Sequence, residues 1–211
     1  MPQDDPVHVS IWSDVACPFC NVARERAQWF RDHGAVVEWL PFDLHPEYPP
    51  EGISREELMR RIPAAAEEAV QRMNAEAGLV YNPPADKVPN TRRALELIEW
   101  ARANGAGDAL HERVMDAYWT EGRDISDWDV LEPLVADAGL DPAQAREEVE
   151  AGLFRDAVDA STRHAQRAGI TGVPAFVLDG RLLVSGAQPH EIMERAMEQV
   201  VAMRGEDPSE G

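Results

Sequence analysis

Val7-His8-Val9-Ser10-Ile11-Trp12-Ser13-Asp14-Val15-Ala16-Cys17-Pro18-Phe19-Cys20 is the run from which the rest of the chain can be read. Val7 to Trp12 alternates and is rich in β-branched side chains, which suits a strand. Cys17 and Cys20 follow, the only two cysteines among 211 residues. Pro18 suits the first turn of a helix, where its missing amide is not needed. Ala23, Ala27 and Phe30 then repeat at helical spacing, and Gly34 stops the helix. Val36 to Phe42 reads as a second strand. Strand, helix and strand make a βαβ unit with a right-handed crossover. A Cys-x-x-Cys where its strand meets its helix is a redox signature.

Beyond this unit the pattern changes. Asp43 to Gly52 is rich in proline and reads as a loop. Ser54-Arg55-Glu56-Glu57 is a capping box. Leu58, Ile62, Ala66, Ala69, Met73 and Ala77 then fall at helical spacing, with Pro63 predicted to kink or break that helix. Asn82 to Pro89 reads as a second loop, and helices follow with stops at Gly105, Gly122, Gly139, Gly152 and Gly169. Strands return at Ala175-Phe176-Val177-Leu178 and Leu182-Leu183-Val184. Asp179-Gly180 between them is a hairpin turn signal. A last helix runs from about Pro189. The helical run therefore lies between two halves of one α/β sheet and reads as an inserted lid.

The net charge of −19 argues against nucleic acid and anionic membrane surfaces as partners, since both demand positive charge. No apolar run approaches the roughly 20 residues of a membrane span. Met1-Pro2-Gln3-Asp4-Asp5-Pro6 is acidic and unlike a signal peptide, so the cytoplasm is the expected location. A structural disulfide would be unusual there, which favours a catalytic pair. No metal is expected: two sulfurs need further ligands, and no other Cys or His pair has ligand spacing.

Disulfide exchange requires a thiolate. A helix N-terminus supplies unpaired amides and partial positive charge, which favours one at Cys17. Cys20, a turn further in, is placed to resolve a mixed disulfide. Cys17 is thus the expected nucleophile and Cys20 the resolving thiol. Pro18 and Phe19 add no charge, so a moderate rather than extreme oxidising power is expected. Asp14 is either a proton acceptor beside the thiolate or a carboxylate capping the loop. Val173-Pro174, where the third strand begins, suits a strand's first proline. Its functional alternative is a cis bond that turns the Val173 backbone toward the cysteines and an extended substrate.

These motifs resemble the thioredoxin superfamily, and within it the DsbA-like branch and its cytosolic FrnE-type subgroup. The resemblance rests on Asp14 to Cys20, Pro41-Phe42-Asp43-Leu44-His45-Pro46, Asn90-Thr91, Gly122-Arg123-Asp124-Ile125-Ser126, Gly172-Val173-Pro174-Ala175-Phe176 and Ser185-Gly186-Ala187-Gln188-Pro189. Phe19 stands where the subgroup more often has Trp. The resemblance implies an α/β, thioredoxin-like fold (βαβ…ββα) interrupted by an inserted all-α helical domain. Its first half would span residues 1–50, the insert 51–165, the second half 166–205 and a disordered tail 206–211. It also implies a cis bond at Pro174. Asn90 and Gln188 are candidate substrate-binding residues in the cleft, with a helix cap and a turn as their local alternatives.

The expected function is a thiol–disulfide oxidoreductase acting on protein or small-molecule thiols and disulfides. No cofactor is expected beyond the cysteine pair, with glutathione a candidate co-substrate. One alternative is a glutathione-dependent isomerase or transferase, related to 2-hydroxychromene-2-carboxylate isomerases and kappa-class glutathione transferases. Those relatives usually carry serine at the reactive position, and the intact dithiol argues against it. The other alternative is a chaperone-like binding protein. Oligomeric state is not encoded in any motif found.

Overall fold

The computed structural model describes residues 5–205. Its first elements are β1 (His8–Ser13), α1 (Pro18–Asp32) and β2 (Val36–Pro41), and β1 and β2 pair in parallel, with Ile11 opposite Trp39. The chain then leaves the sheet through β3 (Ile53–Ser54), α2 (Arg55–Arg61), α3 (Ala64–Glu76), β4 (Lys87–Val88), α4 (Arg92–Ala103), α5 (Gly107–Trp119), α6 (Trp128–Asp137), α7 (Pro142–Glu150) and α8 (Arg155–Arg167). It returns as β5 (Ala175–Leu178), β6 (Leu182–Ser185) and α9 (His190–Gly205). The sheet order is β2-β1-β5-β6, with β5 antiparallel to both β1 and β6. This is the thioredoxin-like βαβ…ββα arrangement with the helices of the insert between its halves.

Strand periodicity sorts the side chains onto two faces. Val9, Ile11, Val37, Trp39, Phe176 and Leu178 pack on one face. There they meet Ala23, Ala27 and Phe30 of α1 and Met193, Ala196 and Val200 of α9. Trp12 and Ala175 point the other way and pack with Phe42, Ala165 and Ile170. Trp12 also donates from Nε1 to Ser161 Oγ at 3.2 Å. The last helix of the insert is therefore shared: Val158 packs in the core of the insert and Ala165 under the sheet. The division expected after residue 165 falls inside α8, which continues to Arg167.

The hairpin turn is built as its residues dictate, with φ of +51° at Asp179 and +67° at Gly180. Pro63 breaks the helical run: α2 ends at Arg61, and Pro63 is the N-cap of α3. One expectation needs correction. The insert is not wholly helical, because Ile53 pairs with Val88 and Ser54 with Lys87 in a two-residue antiparallel ladder, joining the start of the capping box to the segment read as the second loop. Two residues are too few for alternation to register. The expected tail, 206–211, lies outside the described residues.

Candidate active site

The loop from β1 into α1 is fastened from three sides. Within it, the Cys17 amide donates to Asp14 O at 3.1 Å. The Asp14 carboxylate accepts from the Ala16 amide at 2.9 Å, the Leu44 amide at 3.0 Å and Thr91 Oγ1 at 2.9 Å. From α5, Trp119 Nε1 donates to Val15 O at 2.9 Å. Asp14 is only 2% exposed. Burial pushes its carboxyl above the usual range; the Leu44 and Ala16 amides and the Thr91 hydroxyl pull it back, and nearby Asp43 adds to the rise. These bonds make Asp14 a cap that ties the loop to the insert.

Cys17 is the N-cap of α1, with φ −80° and ψ 120°, and Pro18 occupies the first turn. Its carbonyl accepts from the Cys20 amide at 3.0 Å and the Asn21 amide at 3.3 Å. The two sulfurs are free thiols. Cys17 is 5% exposed and Cys20 is fully buried, and both pack in the core of the insert rather than that of the sheet. Burial, then the neighbouring Cys17 sulfur, pushes the Cys20 thiol well above the usual cysteine range. Cys17 Sγ lies 3.6 Å from Val173 O, as donor to that carbonyl. The Val173–Pro174 peptide bond is cis. The geometry thus brings Asp14, Cys17, Pro18, Phe19 and Val173 to one place. Phe19 is 39% exposed on its rim.

Cys17 opens into a cleft of about 280 Å³ between the thioredoxin-like part and the insert. The walls are largely apolar, with Leu44, Leu58, Ile62 and Val88 among them. Besides Asp14 and Thr91, a polar knot interrupts them. Arg55 Nη2 donates to Glu67 Oε1 at 3.1 Å and to Tyr81 OH at 3.2 Å, and Tyr81 OH donates to Glu67 Oε1 at 2.9 Å. Burial first, together with the Glu67 bond, pushes the Tyr81 hydroxyl up to about 12, against the pull of Arg55.

Asn90 and Gln188 are not among the residues lining this cleft. Asn90 Oδ1 accepts from the Arg92 amide at 2.9 Å, and its Nδ2 donates to Tyr48 O at 2.7 Å. It caps α4 and lines a separate depression with Pro50 and Arg92. Gln188 Nε2 donates to Ser185 O at 2.8 Å within its own turn. Their local alternatives describe them, because short polar side chains beside a helix start or a turn find backbone partners first. Several residues of the site, Glu67 among them, were not singled out from sequence. Thr91 stood in the Asn90-Thr91 motif, but only as a helix cap. Arg55 was hidden inside a capping box, and Tyr81 and Trp119 carried no local signal.

Comparison with known proteins agrees with this fold. Residues 8–198 match the DSBA-like thioredoxin domain family. A probable DsbA oxidoreductase from Streptomyces coelicolor is 29% identical, with a TM-score of 0.82 over 92% of this chain and 89% of that one. The cytosolic disulfide reductase DsbM from Pseudomonas aeruginosa, in a structure with GSH, is 20% identical with a TM-score of 0.70, covering 92% of this chain and 98% of that one. A 2-hydroxychromene-2-carboxylate isomerase is 19% identical with a TM-score of 0.72, covering 94% and 98%. The last two likenesses are of fold.

Proposed function

Because the chain belongs to the DSBA-like thioredoxin domain family, we propose that it is a thiol–disulfide oxidoreductase with Cys17 as nucleophile and Cys20 as resolving thiol. The carrying observation is the asymmetry of the pair: Cys17 is the helix N-cap facing the cleft and Val173, while Cys20 is buried one turn behind it. The Cys17 thiolate attacks one sulfur of a substrate disulfide. That bond breaks, a mixed disulfide forms, and the departing thiolate takes up a proton. Cys20, deprotonated, then attacks the Cys17 sulfur. The Cys17–Cys20 disulfide forms and the second substrate thiol leaves with a proton. Two electrons and two protons pass to the substrate, and two thiols of a donor restore the dithiol. Run in reverse, the same steps oxidise a dithiol.

Asp14 is a positioning residue that fixes the loop before Cys17. Pro18 and Phe19 shape the mouth of the cleft, and the Val173 backbone faces the sulfur that a substrate must approach, with Pro174 starting the strand behind it. Thiols and disulfides are the partners, and glutathione is the candidate donor, since DsbM has been solved with GSH. No other cofactor is required by the steps above. Both cysteines being present favours exchange over the isomerase chemistry of the structural neighbour. The FrnE-type motifs and the dithiol fit a cytoplasmic setting. Among the described residues no helix is long and apolar enough to cross a membrane.

The test is glutathione- or dithiothreitol-driven reduction of a disulfide by wild type, Cys17→Ser and Cys20→Ser. Cys17→Ser is expected to be inactive, and Cys20→Ser to accumulate mixed disulfide visible by mass. Full activity of Cys17→Ser would overturn the assignment.

A further inference from the structure

Helix α2 has no buried residue, unlike the other helices of the described residues. It is joined to the rest by short connections. On one side Gly52 has φ +78°, and a side chain there would overlap the Val88 carbonyl oxygen. The two-residue ladder of β3 and β4 follows, extended by the Arg55 amide donating to Asp86 O at 3.0 Å. On the other side Ile62 is extended and Pro63 starts α3. The outer face of α2 carries the exposed pairs Arg60–Glu56 and Arg61–Glu57. Leu58 and Ile62, one helical turn apart, line the cleft that holds Cys17. Elements with few buried contacts open at low cost.

One side chain fastens this helix to a firmer part of the fold. Arg55 reaches from the first residue of α2 to Glu67 on α3 and to Tyr81 beyond it. Those anchors are themselves fixed. Asn74 of α3 accepts at Oδ1 from Asn21 Nδ2 at 2.8 Å, on the helix that carries the cysteines. Tyr81 packs on Trp119, ring centroids 5.3 Å apart.

We infer that α2 is a lid latched by Arg55 on Glu67 and Tyr81, and that the latched lid makes the site select small disulfides over disulfides in a folded polypeptide. This rests on the exchange chemistry proposed above. A 280 Å³ cleft suits a small ligand. A polypeptide loop must instead bring its own sulfur in line with one that is 5% exposed. Arg55, Glu67 and Tyr81 are then specificity-determining residues, acting through the position of α2.

The experiment alkylates Cys17 of the reduced full chain with two probes, iodoacetamide and a bulky polyethylene glycol maleimide. Wild type, Arg55→Ala and Tyr81→Phe are compared, with thermal melts as the check on folding. The ratio of bulky-probe to small-probe rate is expected to rise about tenfold in Arg55→Ala and several-fold in Tyr81→Phe, in line with loss of one or two hydrogen bonds. Turnover should follow, with kcat/KM for a protein disulfide gaining on that for a small disulfide. An unchanged ratio in folded Tyr81→Phe overturns the latch, even if Arg55→Ala fails to fold. Wild type that alkylates selectively but exchanges no disulfide would overturn the proposed function and leave the lid intact.

Discussion

Thr91 Oγ1 donates to Asp14 Oδ2 across 2.9 Å, and this bond joins the start of α4 to the loop that delivers the cysteines. The two residues lie 77 apart in the sequence. The placement of Cys17 therefore depends on the insert as much as on the sheet.

Replacing Asp14 by Asn should cost about 1–3 kcal/mol of stability, because an amide nitrogen cannot accept from the backbone donors that now surround the carboxylate. The folded-state carboxyl lies above its unfolded value of 3.8. The native state thus binds more protons between those two values, and the contribution of Asp14 to stability falls as pH rises through that window. Urea midpoints of wild type and Asp14→Asn should converge over it on going up in pH. A gap that widens with pH would refute the assignment of burial as the dominant cause.

Cys20 is held protonated by burial near neutral pH. In the Cys17→Ser variant its alkylation should therefore track unfolding, slow in buffer and accelerated by denaturant. Labelling at the rate of a free thiol in buffer would show that the second sulfur is accessible and the resolving role misassigned. Quantitative mass spectrometry of the alkylated protein reads this directly.

His111 stacks on Trp39 with ring centroids 4.3 Å apart, and neither ring nitrogen has a hydrogen-bond partner among the described residues. Nδ1 stays 3.8 Å from Glu112 Oε1. Burial first holds its pKa below 6.5; Glu112 opposes this and Arg24 adds to it. The unfolded state then binds more protons just below 6.5, so stability falls as pH drops through that value. His111→Phe should remove this loss and raise stability at neutral pH by about 1–2 kcal/mol, the cost of an unpaired buried polar group. Thermal melts from about pH 5 to about pH 7 test it; an unchanged pH slope would count against it.

The βαβ unit was legible because Val7 to Trp12, the Cys-x-x-Cys and Ala23, Ala27 and Phe30 each follow a local period. Asp179-Gly180 was legible because a two-residue turn states its own chemistry. The cleft walls were not. Trp119 meets Val15 across 104 residues and Arg55 meets Tyr81 across 26, between elements whose packing no local pattern encodes. Asn90 and Gln188 show the converse: each sits in a telling motif, yet each is spent on backbone groups, Asn90 on the Arg92 amide and the distant Tyr48 carbonyl, Gln188 on the Ser185 carbonyl.

Cys17 and Val173 are separated by 156 residues of chain. A ribosome adding about 5–20 residues per second needs roughly 8–30 s to cover that distance. Throughout this interval β1 and the cysteine helix exist without β5 and without the carbonyl that faces the sulfur. Until the helices of the insert follow, the pair lacks the core in which it is buried. The carbonyl that faces the Cys17 sulfur arrives only with the far end of the chain.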